Sequence, residues 1–309
     1  MHQSRPLSIG WDVQKASMAV ASVAQEHHAD VVSLGTSGTR PCDIDPRLRQ
    51  MPSTSPHRIL VSEAGPCGSG LSRSLTTKGQ VCWGVAPSLL PQKPGDRVKT
   101  HRRDASTLAR LLRSGDLPPV EVPQGEDTAM RDLCRAREET LRALQAAQCQ
   151  RTAVLRRHAL RSPGRATWRP AHLRWLSAVV CPTPTPPLVC QASVRAVTDH
   201  TARLARLAHA LTDQVPTWRL APVVDALQAR RGVPCTVAVP TVAARGARTR
   251  FDHPRPLMHS LGFTPSADST GERRPPGGST TTGHRHARRA LVAGAWASRS
   301  PANISRHRP

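Results

Sequence analysis

The chain has 309 residues, enough for two domains, and 38% of them are hydrophobic but only 3% aromatic, so a core would be mainly aliphatic. Lys and Arg total 44 against 21 Asp and Glu, a net charge of +23 that favours a polyanionic partner such as nucleic acid; Arg-rich coding in a GC-rich genome explains it equally well. The opening residues lack an apolar signal region and no run reaches the length of a membrane helix, which argues against a membrane protein.

The first third of the chain predicts an α/β domain over residues 1–122. Short apolar runs predict strands at 7–11, 18–23, 31–34, 59–62 and 81–85. Helical spacing predicts helices at 68–78 and 104–114, and the Gly, Ser, Thr and Pro content of 35–57 predicts a loop. Prolines at 118, 119 and 123 close the domain.

The middle region, 123–216, is predicted to be helical. Residues 127–158 carry apolar side chains at helical spacing, and a Pro-rich connector is expected over 162–187. A seam with spacings of three and four then runs through Val194, Val197, Thr201, Leu204, Ala208, Leu211 and Val215. This seam suits an antiparallel helical hairpin, a dimeric coiled coil or a plain amphipathic helix.

The last region, 217–309, predicts a mainly α domain. Helices at 222–230 and 235–245 flank the turn Gly232-Val233-Pro234, as in helix-hairpin-helix modules that bind phosphates with backbone N–H groups. Pro240 disfavours the second helix by about 3 kcal/mol. Residues 265–285 predict a loop and 286–297 a final helix.

Three acids occupy positions typical of a metal site. Asp12 follows the first strand, Glu63 ends a later strand and Asp104 begins a helix. Carboxylates from strand ends can meet at one edge of a sheet and bind Mg²⁺ for phosphoryl chemistry, although many such acids only cap helices or meet solvent.

The eight cysteines predict no zinc site. None forms a C-x-x-C pair or has a His at zinc-finger spacing, so scattered free thiols are expected.

Several stretches resemble the DEDD transposases of the insertion-sequence one-ten family. In chain order they are SEAGPCG (62–68), VAPSLLPQKPGDRVKT (85–100), AMRDLCRARE (129–138), LAPVVDALQA (220–229), TRFDHPR (249–255), LGFTPS (261–266) and HARRALV (286–292). The resemblance runs from about residue 7 to residue 306.

This resemblance implies the fold and the activity. It implies a RuvC-like N-terminal domain of the ribonuclease-H fold, a helical coiled-coil segment and a C-terminal transposase domain. It implies DNA recombination directed by a structured guide RNA, Mg²⁺ bound by the RuvC-like acids, and a serine that links covalently to a DNA phosphate. A homo-oligomer assembled on nucleic acid, in the bacterial cytoplasm at the nucleoid, is also implied.

The resemblance assigns the acids residue by residue. Asp12 matches the first acid, Glu63 the second and Asp104 the fourth, while His101 stands where the family has its third acid. Imidazole is a poor Mg²⁺ ligand, and the exchange removes a negative charge from the site.

The nucleophile is carried over to the word beginning at Pro265. Thr270 precedes Gly271 at the family's serine position, and Ser269 lies just upstream; either hydroxyl could hold the role. The stretch CGSGLSRSL (67–75) stands where the family has a CGYWLYRYL-like helix, so its aromatic residues are missing. The altered acid, the altered nucleophile and these missing aromatics indicate a decaying copy. The predicted function is therefore an insertion-sequence transposase, with a non-catalytic nucleic-acid-binding remnant or an unstable pseudogene product as alternatives.

Overall fold

The computed structural model describes residues 7–26, 28–51, 58–91, 100–162, 164, 167–180, 187–246, 251–267, 276–280 and 283–299. The chain forms two compact units, Met1–Gln124 and Gly125–Pro309. The division into three regions at 122 and 216 stays a prediction.

A five-stranded mixed sheet forms the centre of the first unit. Its strands are β1 (Leu7–Val13), β2 (Ser17–Val23), β3 (Val32–Gly38), β4 (Arg58–Glu63) and β5 (Val81–Val85), in the order β3-β2-β1-β4-β5. The first three strands are antiparallel, whereas β1, β4 and β5 are parallel. The predicted α/β class is confirmed, and the architecture is consistent with a ribonuclease-H-like domain.

Helices cover both faces of this sheet. They are α1 (Pro41–Gln50), α2 (Pro66–Thr77) and α3 (His101–Ser114). Because side chains alternate along a strand, Ile9 and Trp11 pack toward Leu71 and Leu75 of α2, while Val61 packs toward α3. In the described part of the first unit, the sheet lies between α1 and α2 on one side and α3 on the other.

The predicted loop over 35–57 is wrong where α1 forms. Pro41 stands at the first helical position, and the Arg40 backbone N–H donates to Asp43 Oδ2 at 3.3 Å. Ile44 then buries its side chain with Met51 in the core of the first unit. The proline and small polar content of this stretch indicated a loop. A proline can also begin a helix, however, and here the N-terminal cap and the burial of Ile44 favour the helix.

The second unit is mainly helical. It contains α4 (Gly125–Arg157), α5 (Pro170–Ala178), α6 (Pro187–Gln214), α7 (Ala221–Gln228), α8 (Cys235–Arg245), α9 (Pro254–Leu261), the strands β6 (Pro265–Ala267) and β7 (Pro276–Ser279), and α10 (Arg285–Arg299). Within the described ranges, none of these helices or those of the first unit is both long and apolar enough to cross a bilayer.

The two longest helices, α4 and α6, pack side by side. Met130 near the start of α4 shares a cluster with Leu211 near the end of α6, and Leu144 shares another with Val197. The two helices therefore run antiparallel, and part of the predicted seam is buried between them. Thr201, by contrast, is exposed. A coiled coil in the strict sense stays a prediction.

The helices α7 and α8 flank a glycine turn. Gly232 has φ +81°, a conformation that favours glycine. Pro240 lies inside α8 and is buried among the apolar residues of the second unit, so the helix forms despite it. A phosphate-binding helix-hairpin-helix role stays a prediction.

Three further expectations are corrected. The predicted connector contains α5, which begins at Pro170 and buries His172 and Leu176 one turn apart. The predicted loop 265–285 contains the antiparallel pair β6 and β7, whose run is too short to show strand periodicity. The expectation of free thiols is wrong at Cys190, which is disulfide-bonded.

Two buried carboxylates of α4 hold the second unit together. Asp127, 4% exposed, accepts from the indole Nε1 of Trp218 at 2.9 Å and is paired with Arg219. Glu138, 8% exposed, is surrounded by cationic or polar partners: Arg142, His286 and Arg289. Buried charge is tolerated here because each carboxylate has several partners.

We expect the second unit to lose stability as the pH falls from about 6.5 to about 4. Burial, with the neighbouring charges of Arg245, His286 and Arg131, lowers the pKa of His284 to about 4. In this window the unfolded imidazole is protonated and the folded one is neutral, so the unfolded state binds more protons and gains population.

His284→Asn is the variant that isolates this effect. His284 Nδ1 accepts from the Ala287 backbone N–H at 3.2 Å at the start of α10, a capping role that Asn can fill without titrating. Denaturant midpoints at pH 7 and pH 5 should differ less in His284→Asn than in the wild type. His209→Asn, at a side chain 80% exposed, is the control. An unchanged midpoint difference in His284→Asn contradicts the prediction.

Candidate metal site and nucleophile segment

A glycine on the central strand allows α3 to lie directly on the sheet. A Cβ at Gly10 would stand 2.1 Å from the Ala105 carbonyl oxygen and 2.7 Å from the Ala109 nitrogen. Real Cβ atoms do not approach backbone this closely, so only glycine fits between β1 and α3. Small side chains continue this contact, where Ala19 and Ala21 of β2 meet Ala105.

This close contact brings the start of α3 to Asp12. Asp12 lies two residues beyond Gly10 and on the same face of β1. It is 5% exposed, and its Oδ2 lies 2.7 Å from His101 Nδ1. His101 is the first residue of α3, whose N-terminus is capped by Thr100 Oγ1 accepting from the Arg103 N–H at 3.3 Å.

Asp104 completes a group of three potential metal ligands. One ligand atom each from Asp12, His101 and Asp104 lies within 4.8 Å of the others. Two carboxylates and an imidazole at these separations can face a single divalent ion. The donor set therefore fits a metal, with nitrogen in the place of one oxygen.

Glu63 ends β4 beside Asp12 but is not a member of that group of three among the described residues. Trp11 pairs with Ser62, so Glu63 follows at the level of Asp12. Since Ile59 and Val61 pack toward α3, the alternation of β4 gives Glu63 the same face as Asp12.

A second glycine holds α2 against this strand end. A Cβ at Gly68 would stand 2.1 Å from the Glu63 carbonyl oxygen, so the first turn of α2 touches the backbone of β4. The Ala64 N–H donates to the Val85 carbonyl at 2.7 Å, which fixes the chain just after Glu63. The position of Glu63 is thus determined by its backbone neighbours.

Polar residues on the outer side of α3 form a feature that is absent from the predicted site. A groove of about 410 Å³ is lined by Thr100, Arg102, Arg103, Ser106, Thr107 and Arg110. The sequence itself indicates this polar face, because its polar residues recur at helical spacing on the side of α3 opposite the buried Ala105, Leu108, Ala109 and Leu112. Arginines beside a candidate metal site suit a nucleic-acid backbone.

The candidate nucleophiles Ser269 and Thr270 lie outside the described residues. The strands on either side are described: Ala267 of β6 pairs with Pro276 of β7. Ser266 Oγ donates to the Gly278 carbonyl at 3.0 Å, and the Thr280 N–H donates to the Thr264 carbonyl at 2.9 Å. The segment bearing both hydroxyls therefore begins and ends at a hydrogen-bonded hairpin.

Known proteins that resemble this chain are named as transposases. A family model described as transposase, IS116/IS110/IS902 family, matches residues 224–308. The chain is similar to y4qE of Sinorhizobium fredii, a protein named as a transposase, with 38% identity over 304 residues that cover 98% of this chain and 75% of that protein. It is also similar to the transposase for insertion sequence element IS1533 of Leptospira borgpetersenii, with 37% identity over 122 residues, covering 37% of this chain and 34% of that protein.

Proposed function

Because this chain belongs to the IS116/IS110/IS902 family of transposases, we propose that it cuts and rejoins insertion-sequence DNA with a metal-dependent acidic site in its first unit and a hydroxyl nucleophile in its second. The convergence of Asp12, His101 and Asp104 carries this proposal. The replacement of one acid by His101 implies weak activity.

Each residue of the acidic site has a role in this proposal. Asp12 and Asp104 would hold the ion, Glu63 at the same sheet edge would offer a further carboxylate, and His101 takes the position of the family's third acid. A bound divalent ion, for which the sequence predicts Mg²⁺, would supply a Lewis acid for phosphate chemistry. The order of the five strands supports a ribonuclease-H-like, RuvC-like identity for this unit.

The second unit supplies the nucleophile. The hydroxyl of Thr270 or Ser269 attacks a DNA phosphate, its oxygen forms the new ester bond, and the displaced DNA oxygen leaves with a proton. A threonine carries an extra methyl group that crowds in-line attack, so a serine at position 270 should react faster.

The partners are DNA and a structured guide RNA, bound through their phosphates. The net charge of +23 and the arginine-lined groove on α3 support polyanion binding. The antiparallel pair of α4 and α6 supports a coiled-coil arm through which copies assemble on nucleic acid, and the glycine turn between α7 and α8 supports a further phosphate contact.

A non-catalytic nucleic-acid-binding remnant is the second candidate. It is favoured by His101, which lacks the charge of the family's acid, and by the absence of serine at position 270. Such a protein would still bind DNA and RNA through its basic surfaces but would transfer no strands.

We expect weak strand transfer by the unaltered chain and a clear gain in the double variant His101→Asp, Thr270→Ser. The measurement supplies a matching guide RNA, donor and target DNA and Mg²⁺. Because metal site and nucleophile act as a unit, the two changes should be non-additive. If Thr270 is the nucleophile, Thr270→Ala should abolish transfer and Ser269→Ala should preserve it; the opposite pattern would assign the role to Ser269. Folded double-variant protein that binds both nucleic acids without transferring strands supports the remnant instead.

A further inference from the structure

We propose that the site formed by Asp12, His101 and Asp104 prefers Mn²⁺ to Mg²⁺. This inference rests on the proposed metal-dependent function and specifies its ion. Its basis is a feature of this chain, an imidazole in direct contact with the buried carboxylate of the site.

The geometry allows His101 to be a ligand and not only a neighbour. Adjacent ligands about 2.1 Å from an octahedral ion are about 3 Å apart, and opposite ligands about 4.2 Å. The His101 Nδ1 to Asp12 Oδ2 distance is 2.7 Å, and the three ligand atoms all lie within 4.8 Å. An ion can therefore enter after shifts of about half an ångström in the ligand atoms.

The surroundings of Asp12 favour a bound ion that is shared with the His101 imidazole. The carboxylate is 7% exposed, so water reaches it poorly, and the described contact on its Oδ2 is His101. The His101 side chain is 58% exposed, which lets the ring adjust while α3 stays fixed at Gly10. An ion bound by the Asp12 carboxylate would therefore also be coordinated by the His101 ring nitrogen.

The chemistry of this donor set discriminates between the two ions. Mg²⁺ takes oxygen ligands almost exclusively and dehydrates reluctantly, so a neutral nitrogen adds little to its binding. Mn²⁺ accepts carboxylate oxygen well and imidazole nitrogen better than Mg²⁺ does, and later first-row ions bind nitrogen more strongly still. The presence of His101 in place of an acid therefore weakens the binding of Mg²⁺ more than the binding of Mn²⁺.

The test measures binding of the two ions to the full chain without any activity assay. The electron paramagnetic resonance signal of free aqueous Mn²⁺ falls when the ion binds, and Mg²⁺ is then titrated as a competitor. We expect the wild type to require at least about tenfold more Mg²⁺ to displace Mn²⁺ than His101→Asp does. His209→Asp, the same exchange at an exposed imidazole paired with Asp213, should leave the ratio unchanged.

A further measurement needs no variant. Ligand binding raises the unfolding temperature by mass action, so Mn²⁺ should stabilise the wild type at lower concentration than Mg²⁺. Equal competition ratios in the wild type and His101→Asp, or equal stabilisation by both ions, overturn the ion preference and leave the metal site standing. If Asp12→Asn binds both ions as the wild type does, the metal site and the proposed function fail together.

Discussion

Gly10→Ala should lower the free energy of unfolding of the first unit by about 3 kcal/mol, a large effect for one methyl group. The added Cβ would stand 2.1 Å from the Ala105 carbonyl oxygen and 2.7 Å from the Ala109 nitrogen, and neither backbone atom can turn away. α3 must move off β1, which opens the packing of Leu108 and separates His101 from Asp12. Denaturant unfolding of the full chain, followed by a probe in the first unit, measures the loss.

Gly70→Ala is the matched control for this change. Gly70 lies inside α2, and among the described residues nothing outside its own stretch of helix comes within 4 Å of an added Cβ. The same substitution should therefore raise stability there, by about 0.5 to 1 kcal/mol, because alanine favours a helix over glycine. Equal effects at positions 10 and 70 would show that the contact between β1 and α3 does not require glycine.

Asp127→Ala should destabilise the second unit by about 3 kcal/mol. The change leaves the buried indole N–H of Trp218 without its acceptor and Arg219 without its carboxylate. Trp218 belongs to the core cluster that joins α4, α6, α7 and α8, so a shift of its side chain would disturb the packing of all four helices. Tryptophan fluorescence during denaturant unfolding measures the change.

Two companion variants separate the causes. Asp127→Asn keeps an acceptor for Trp218 while removing the charge, so it should cost less than Asp127→Ala. Asp132→Ala, at a carboxylate 64% exposed and paired with Arg135 at 3.3 Å, should change stability by no more than about 0.5 kcal/mol. If Asp132→Ala proved as costly as Asp127→Ala, burial would not be what makes the Asp127 pair important.

The sheet could be predicted because its strands carry a local signal. Strands such as β2 and β5 are short apolar runs between turns, and such a run can be recognised without knowing the partner strand. The helix α1 could not be predicted in the same way. Its prolines and small polar residues are equally common in loops, and what decides its state is the burial of Ile44 against strands far away in the chain.

The candidate site was predictable as a set of positions but not as a geometry. Strand ends indicate where Asp12 and Glu63 meet the same edge, since parallel strands share it. The contact between His101 and Asp12 depends on how closely α3 approaches β1, and that distance is set by Gly10, a residue whose importance lies in having no side chain. Sequence periodicity carries no information on such an approach.

The pairing of Ala267 with Pro276 sets a tether length for the proposed chemistry. Thr270 is three residues beyond Ala267, and three residues of fully extended chain span at most about 11 Å. Whatever its conformation, the hydroxyl cannot travel farther than this, plus the length of its own side chain, from the end of β6. If Thr270 is the proposed nucleophile, the DNA phosphate would have to come within this distance of the end of β6, and positioning the DNA would fall to the surfaces that bind it.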